Sequence, residues 1–252
     1  MERKGAKSTK DISSEVLSQL NRGTLETLTL SEGLSVDFQI LLQAIRPEFS
    51  GDIIDRLSLQ EGVVKRMKSA AQILYSQEGA TRLEGLMTHP SDTVRGWSCY
   101  LIAEIPDLSL PERLSLVQPL ADDSHFGVRE WVWLAMRPHL SAEINLALTE
   151  LTLWAKHSSP NIRRFASESI RPRGVWRSHI DLLKSSPEIA LPLLETLKCD
   201  SSLYVQNSVA NWLNDASKSK PDWVRSLCER WKTESPTAET AKICRRAMRS
   251  LI

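Results

Sequence analysis

The feature that most constrains the fold is a short polar turn that recurs along the chain, each time followed by a helical stretch. The four copies occupy residues 89–95, 122–129, 157–163 and 199–206. Each copy carries one β-branched residue near its end, at Val94, Val128, Ile162 and Val205. These residues are 34, 34 and 43 positions apart. Periods near 40 residues with two helices per unit are typical of HEAT and armadillo repeats.

Helical periodicity also dominates outside the repeats. Apolar residues lie three and four positions apart in segments such as 15–20, 37–44 and 61–74. The prolines fall near expected helix boundaries, and the ten glycines are not arranged as hairpin turns. We therefore predict an all-α solenoid of HEAT-like repeats, an α-α superhelix with a concave groove.

We expect this solenoid to form a single domain over residues 1–252. Within it, residues 1–12 are expected to be a flexible basic N-terminus. Residues 13–88 are expected to supply capping helices, and residues 89–252 the clear repeats.

Composition restricts the classes of partner and compartment. The formal net charge is only +1, so any nucleic-acid footprint must be local. The first ten residues are basic and polar, and no run of about 18 apolar residues occurs, so we expect a cytoplasmic protein without a membrane partner. The four cysteines form no C-x-x-C pair and the five histidines are scattered. We expect reduced thiols, no metal, no cofactor and a monomer.

The second helices of three consecutive repeats carry a polar stripe. Counted from the β-branched residues, its members are Glu130, Trp133 or Leu134, and Arg137, then Arg164, Glu168 and Arg171, then Asn207, Asn211 and Asn214 with Asp215. On one helix such a row is usually a solvated face, and an exposed i,i+4 ion pair is worth about 0.3–0.5 kcal/mol. Its recurrence on three repeats favours a binding surface, because solenoids bind partners on their concave faces.

Basic residues are concentrated around the third repeat. Between Lys156 and Lys184 there are seven Lys and Arg residues against two acids, and Lys218 follows in the next repeat. A local excess of this size can grip a few phosphates. Trp133, Trp176 and Trp212 lie in or beside the stripe, where they either pack in the core or contact a base or sugar.

Three segments resemble a known family. They are 128–138 (VREWVWLAMRP), 164–176 (RFASESIRPRGVW) and 204–218 (YVQNSVANWLNDASK). In these residues the chain resembles the bacterial alkylpurine-DNA glycosylases of the AlkC/AlkD superfamily, and the AlkC branch in particular. The resemblance covers most of the chain and is strongest from about residue 122 to residue 223.

The resemblance implies a monofunctional DNA glycosylase of base excision repair. Such an enzyme holds duplex DNA in its groove and hydrolyses the N-glycosidic bond of cationic alkylated bases such as 3-methyladenine. Carried over by motif, the acids at the lesion are Glu130, Glu168 and Asp215. The predicted substrate- and DNA-binding residues are Arg164, Arg171, Arg173, Trp176, Trp133, Arg137, Asn207, Asn211 and Lys218.

The sequence departs from the family pattern at two places. Ser169 stands where the family usually has glycine, and residues 171–176 read R-P-R-G-V-W instead of R-P-R-x-P-W. Some AlkC members also carry a C-terminal β-domain, for which we expect no room after Ile252.

The predicted chemistry suits carboxylates. A cationic alkylpurine leaves without a general acid, and ionised carboxylates near C1′ stabilise the oxocarbenium-like sugar and position water. We expect Asp215 and Glu168 to carry this stabilisation and Glu130 to contact the lesion. Two alternatives stay open: a non-catalytic HEAT protein that binds bent or branched DNA, and a protein–protein scaffold.

Overall fold

The computed structural model describes residues 3–57, 61–174 and 178–251. Over those residues the chain is helical and contains no β-strand. The predicted all-α class with HEAT-like repeats is confirmed. None of the helices in the described ranges combines the length and the apolar character that a membrane crossing requires.

The single domain expected over 1–252 is divided into two compact units. One consists of Met1–Ser109 and Asp123–Ala135, the other of Leu110–Asp122 and Met136–Ile252. The helices of the first half of the chain are α1 (Ser14–Asn21), α2 (Leu30–Ser35), α3 (Phe38–Ile45), α4 (Gly51–Ile54), α5 (Val63–Glu78), α6 (Leu83–Met87), α7 (Asp92–Glu104) and α8 (Leu110–Ala121). The later helices are α9 (Phe126–Ala142), α10 (Ile144–Trp154), α11 (Pro160–Glu168), α12 (Asp181–Ser185), α13 (Leu191–Leu197), α14 (Leu203–Ser217), α15 (Pro221–Glu234) and α16 (Ala238–Ala247).

The first unit packs around aromatic residues of α7 and its neighbours. The Trp97 ring meets the Phe38 ring edge-on, with centroids 5.4 Å apart. At Gly96 a Cβ atom would stand 2.6 Å from Met67 and 2.7 Å from Trp131. This position of the first repeat is therefore glycine because the neighbouring side chains leave no space for a larger residue.

The N-terminal segment, expected to be flexible, is held against the first unit by a buried carboxylate. Glu32 accepts hydrogen bonds from the Arg3 guanidinium at 2.7 Å, the Ala6 N–H at 2.9 Å and the Leu28 N–H at 2.7 Å. The Thr29 hydroxyl also donates to the Ala6 carbonyl at 2.7 Å. A fully paired buried carboxylate fixes the segment, which the local sequence alone does not reveal.

The recurring turn is a hydrogen-bonded clamp. In each copy the side chain five positions before the β-branched residue accepts the backbone N–H two residues later; these acceptors are His89, Asp123, His157 and Asp200. The side chain directly after the β-branched residue donates to the carbonyl of that same acceptor residue; these donors are Arg95, Arg129, Arg163 and Gln206. The repeated sequence therefore corresponds to a turn whose own side chains form hydrogen bonds with its backbone groups before each helix begins.

Two of these arginines also connect consecutive repeats within one unit. In the first unit Arg95 Nε lies 2.8 Å from Asp123 Oδ2. In the second unit Arg163 Nε lies 2.6 Å from Asp200 Oδ2, and its Nη2 lies 3.0 Å from Asp200 Oδ1. The two-point contact with Asp200 raises the pKa of Arg163, so the pair stays ionised.

The apolar positions of the stripe helices face the core as the periodicity predicts. Six apolar residues of these segments are buried: Val132, Ala135, Phe165, Ile170, Val209 and Leu213. Trp212 is fully buried as well, and its indole N–H donates to the Ile170 carbonyl at 3.1 Å. The remaining polar positions of α11 and α14 are therefore the ones available for a site.

The clamp predicts a specific loss of stability. Arg163→Met leaves Asp200 without its cation and two turn carbonyls without a donor, so the free energy of unfolding should fall by about 2–3 kcal/mol. Urea denaturation measures it. Arg225→Met, which breaks the exposed Arg225–Asp222 pair, is the matched control and should cost under about 0.5 kcal/mol. Equal losses in the two variants would contradict the account of the clamp.

Candidate functional site

Helices α11 and α14 pack directly against each other and bring the polar stripe of the second unit together. The Ser159 hydroxyl caps α11, and Pro160 occupies its first turn. Small side chains allow the helices to approach closely: the Ser167 and Ser208 hydroxyls are 2.8 Å apart and fully buried. The helix ends at Glu168, so the chain turns away at the point where the first carboxylate stands.

Arg171 joins the two predicted catalytic carboxylates of this unit. Its Nη1 lies 2.9 Å from Glu168 Oε1. Its Nε and Nη2 lie 2.9 Å and 2.8 Å from Asp215 Oδ2. Glu168 is only 5% exposed and Asp215 only 4%. Two carboxylates at this depth require a cation between them, and the shared guanidinium supplies it.

The two carboxylates differ in what their second oxygen does. Glu168 Oε2 accepts a hydrogen bond from the Ser208 hydroxyl at 2.7 Å and lies 3.8 Å from Arg164 Nη2. Asp215 Oδ1 lies 3.6 Å from Lys218 Nζ, beyond a direct hydrogen bond. Among the described residues, Lys218 is an ion-pair partner of Asp215 Oδ1, and none donates a direct hydrogen bond to it. The geometry therefore leaves one carboxylate oxygen of the cluster available to a ligand.

Glu168 is held in its ionised form. Burial acts to raise the pKa of this carboxyl, but Arg164, Arg171 and the Ser208 hydroxyl outweigh it, so the pKa lies below its ordinary value. Burial acts to lower the pKa of Arg171, but the carboxylates of Glu168 and Asp215 outweigh it, so this pKa is raised. At neutral pH Glu168 is therefore a carboxylate and has no proton to donate.

Arg137 positions the turn that carries Arg171. Its guanidinium donates to the carbonyls of Ser169 at 2.8 Å, Arg171 at 2.6 Å and Ser178 at 3.2 Å. Arg137 is 2% exposed. A buried guanidinium engaged with three carbonyls cannot reach a phosphate, so the predicted DNA contact of Arg137 is replaced by a positioning role.

Basic side chains surround the carboxylates. The Arg164 guanidinium lies over the Tyr204 ring, 4.3 Å from its centroid. Arg173 donates to the Asp215 carbonyl at 3.3 Å and to the Ser219 hydroxyl at 2.7 Å. Lys218 is exposed at the end of α14. Three of the predicted DNA-binding residues, Arg164, Arg173 and Lys218, are thus beside Glu168 and Asp215.

The amides of the stripe lie on the same face of α14. The Asn211 carbonyl oxygen accepts a hydrogen bond from Arg249 Nη2 at 3.0 Å. The Asn207 carbonyl oxygen is buried and accepts no hydrogen bond within the described ranges. Arg249 and Tyr204 were not among the predicted site residues. The cluster of three arginines at the chain's end was a signal for Arg249, whereas nothing in the sequence distinguishes Tyr204.

Glu130 and Trp133 belong to the first unit. The Trp133 indole N–H donates to Glu130 Oε2 at 2.9 Å, and Trp133 is 8% exposed. This contact orients the Glu130 carboxylate from within its own helix. Trp176 lies outside the described residues. In the part of the chain that the structure describes, no three His, Cys, Asp or Glu side chains converge in the way a metal ion requires.

Comparison with protein-family models finds no family that matches this chain. A curated relative, the uncharacterized protein YhaZ of Bacillus subtilis, is 42% identical over 118 residues. That alignment covers 47% of this chain and 32% of YhaZ, so the match spans about a third of the relative's length.

Solved structures share the fold over much more of the chain. The alkylpurine DNA glycosylase AlkC of Pseudomonas fluorescens, bound to DNA containing an abasic site analog, is 26% identical with a TM-score of 0.69, covering 98% of this chain and 65% of AlkC. AlkD2 of Streptococcus mutans is 24% identical with a TM-score of 0.62, covering 77% of this chain and 93% of AlkD2. Smu.31 of Streptococcus mutans is 22% identical with a TM-score of 0.55, covering 84% of this chain and 98% of smu.31.

These comparisons confirm the resemblance that the sequence indicates. The structural neighbours of the chain include AlkC and AlkD proteins, with a TM-score of 0.69 to AlkC. They show the fold, and this chain spans 65% of the AlkC length.

The depressed pKa of Glu168 predicts an acid-dependent loss of stability. The unfolded carboxyl titrates near 4.5, above the folded one. The contribution is therefore complete above about pH 4.5 and is lost as the pH falls through the folded pKa. Glu168→Gln should remove it, so urea denaturation between about pH 6 and pH 3 should show a flatter pH dependence than for the wild type.

Glu229→Gln removes an exposed carboxylate from α15 and corrects for the change in net charge. An unchanged pH dependence in Glu168→Gln would show that the arginines do not hold this carboxylate ionised.

Proposed function

We propose that this chain is a monofunctional, hydrolytic DNA glycosylase that removes cationic N-alkylated bases, such as 3-methyladenine, from duplex DNA. One observation carries the proposal: a buried pair of carboxylates shares Arg171, and one oxygen, Asp215 Oδ1, accepts no direct hydrogen bond from the described residues. The AlkC-like fold supports the same reading, because AlkC is an alkylpurine DNA glycosylase solved with DNA.

The electrostatics of the cluster suit a leaving group that is already cationic. Glycosylases that act on neutral bases need an acid to protonate the base, and Glu168 is held ionised by Arg164 and Arg171. A purine alkylated at N3 or N7 carries its positive charge from the start and departs without that proton. The site therefore fits cationic lesions and offers neutral bases no assistance.

Asp215 is the proposed catalytic residue. As the base departs, positive charge develops on the sugar, and an ionised oxygen near C1′ stabilises it. The same oxygen can accept a proton from the attacking water. Asp215 Oδ1 fits both tasks, because Oδ2 is engaged by Arg171 and fixes the orientation of the carboxylate.

Glu168 is the proposed positioning residue. Both of its oxygens are engaged, one by Arg171 and the other by Ser208. It anchors the guanidinium that in turn orients Asp215. The sequence predicts equal roles for Glu168 and Asp215. The hydrogen bonds favour different roles, in which Asp215 contacts the substrate and Glu168 holds Arg171.

The DNA contacts proposed here follow the basic residues of the second unit. Arg164, Arg173 and Lys218 surround the carboxylates and can reach phosphates, which attract guanidinium and ammonium groups irrespective of sequence. Glu130, oriented by Trp133, is proposed to contact the cationic lesion. The role of Trp176 at the lesion remains a prediction from the sequence.

The Asp215→Asn variant tests the proposal. It keeps the size and hydrogen-bonding capacity of the side chain but removes the charge, so release of 3-methyladenine and 7-methylguanine from methylated duplex DNA should fall by about two to three orders of magnitude. Single-turnover kinetics with excess protein measures this loss. Affinity for the same DNA should change by less than about threefold, since Asp215 donates nothing to phosphates.

Two matched variants sharpen the test. Asp222→Asn removes an exposed carboxylate from the neighbouring α15 and should release bases at the wild-type rate. Glu168→Gln should reduce release less than Asp215→Asn, because its effect passes through Arg171. Equal release by the wild type and Asp215→Asn would refute the catalytic assignment. Salt-sensitive binding by a wild type that releases no base would support the non-catalytic DNA binder instead.

A further inference from the structure

Two arginines are anchored on opposite sides of Asp215 along the chain. Arg249 donates to the side chain of Asn211, one helical turn before Asp215 on α14. Arg173 donates to the Ser219 hydroxyl, four residues after Asp215 and just beyond the end of α14 at Ser217, and also to the Asp215 carbonyl. Asp215 therefore lies midway in the sequence between the two anchors.

Both arginines are held by neutral oxygen atoms. Arg249 donates to the Asn211 amide oxygen at 3.0 Å and to the Arg246 carbonyl at 2.7 Å. Arg173 donates to the Asp215 carbonyl at 3.3 Å and to the Ser219 hydroxyl at 2.7 Å. Within the described ranges neither guanidinium pairs with a carboxylate, in contrast to Arg171. A neutral anchor orients a guanidinium while leaving its charge uncompensated.

The end of the chain is fastened so that Arg249 keeps its place. The Asn214 amide donates to the Ala247 carbonyl and to the Ser250 hydroxyl, both at 3.0 Å. Asn214 is buried on α14, and α14 packs directly against α16. Arg249 is therefore presented by the same helix that carries Asp215, although it lies more than thirty residues later in the sequence.

The surroundings of Arg249 are electropositive. Partial burial, together with Arg246 and Arg171, lowers the pKa of this guanidinium, and the opposing effect of Asp215 does not cancel them. Arg249 is nonetheless exposed to solvent. An exposed, oriented guanidinium with like charges around it is a site for an anion.

We propose that Arg249 and Arg173 bind backbone phosphates of the damaged strand, on the two sides of the nucleotide whose sugar lies at Asp215. The inference rests on the proposed function and adds Arg249, from the end of the chain, to the substrate-binding residues. Two fixed cations, one on each side of the carboxylate, would hold one sugar at Asp215 Oδ1. Neither cation would contact the base. Phosphates suit this arrangement because oriented guanidinium groups bind them at two points.

The test is equilibrium binding of the full chain to a duplex containing a tetrahydrofuran abasic-site analogue, measured over a range of salt concentrations. Arg249→Gln and Arg173→Gln should each weaken binding about five- to tenfold at low salt. Each should also reduce the slope of log K against log salt by about 1, the signature of one lost phosphate contact. Arg249→Lys keeps the charge and should retain the wild-type slope with a smaller loss of affinity.

The matched control is Arg245→Gln, which removes an exposed arginine from the last turn of α16 and should leave affinity and slope within twofold of the wild type. A slope for Arg249→Gln equal to that of Arg245→Gln would overturn the inference. So would equal losses in Arg249→Lys and Arg249→Gln, because these would indicate a structural role. Wild-type binding with these effects but without base release would refute the proposed glycosylase and leave the phosphate contacts established.

Discussion

The second unit depends on one guanidinium placed between two buried carboxylates. Glu168 and Asp215 come from different helices, and each is less than 6% exposed. Without Arg171 the two charges would repel each other in a region that water screens poorly. Arg171 pairs with both carboxylates and helps to hold Glu168 ionised, while Asp215 Oδ1 accepts no direct hydrogen bond from the described residues. Removing Arg171 would leave two buried carboxylates without the cation they share, so the site and the packing of α11 on α14 are a single structure.

The repeat architecture brings this trio together. The clamp turn before each helix satisfies its backbone with its own side chains and sets the register of the helix that follows. Arg163 and Asp200 then fix the third repeat against the fourth. Helices α11 and α14 pack side by side, and Asp215 lies one helical turn beyond Asn211, the α14 position equivalent to Glu168. Arg171, three residues after Glu168, therefore reaches both carboxylates. Arg137 also supports the site, because it donates hydrogen bonds to carbonyls of the turn that carries Arg171.

Local patterns carried most of the fold. The helices and the repeats can be predicted from the sequence because apolar spacing and turn chemistry act within a few residues. The polar stripe then follows from placing the second helices of the repeats side by side. The sequence could not reveal which stripe residues are buried: Arg137 and Arg164 look alike until three carbonyls are found around Arg137. The place of Arg249 in the site could not be predicted for a similar reason, because its contact with Asn211 spans 38 positions. The anchored N-terminal segment likewise depends on Glu32, whose partners lie up to 29 positions away.

The central claim is that this carboxylate site removes a base that already carries a positive charge, without a proton donor. The most direct measurement compares, in single-turnover reactions at neutral pH, release of 3-methyladenine and of the neutral base hypoxanthine from otherwise matched duplexes. The account predicts release of 3-methyladenine and no detectable release of hypoxanthine. Release of hypoxanthine would contradict it, because a neutral purine needs a general acid that this cluster does not provide. Failure to release either base would contradict the proposed reaction itself.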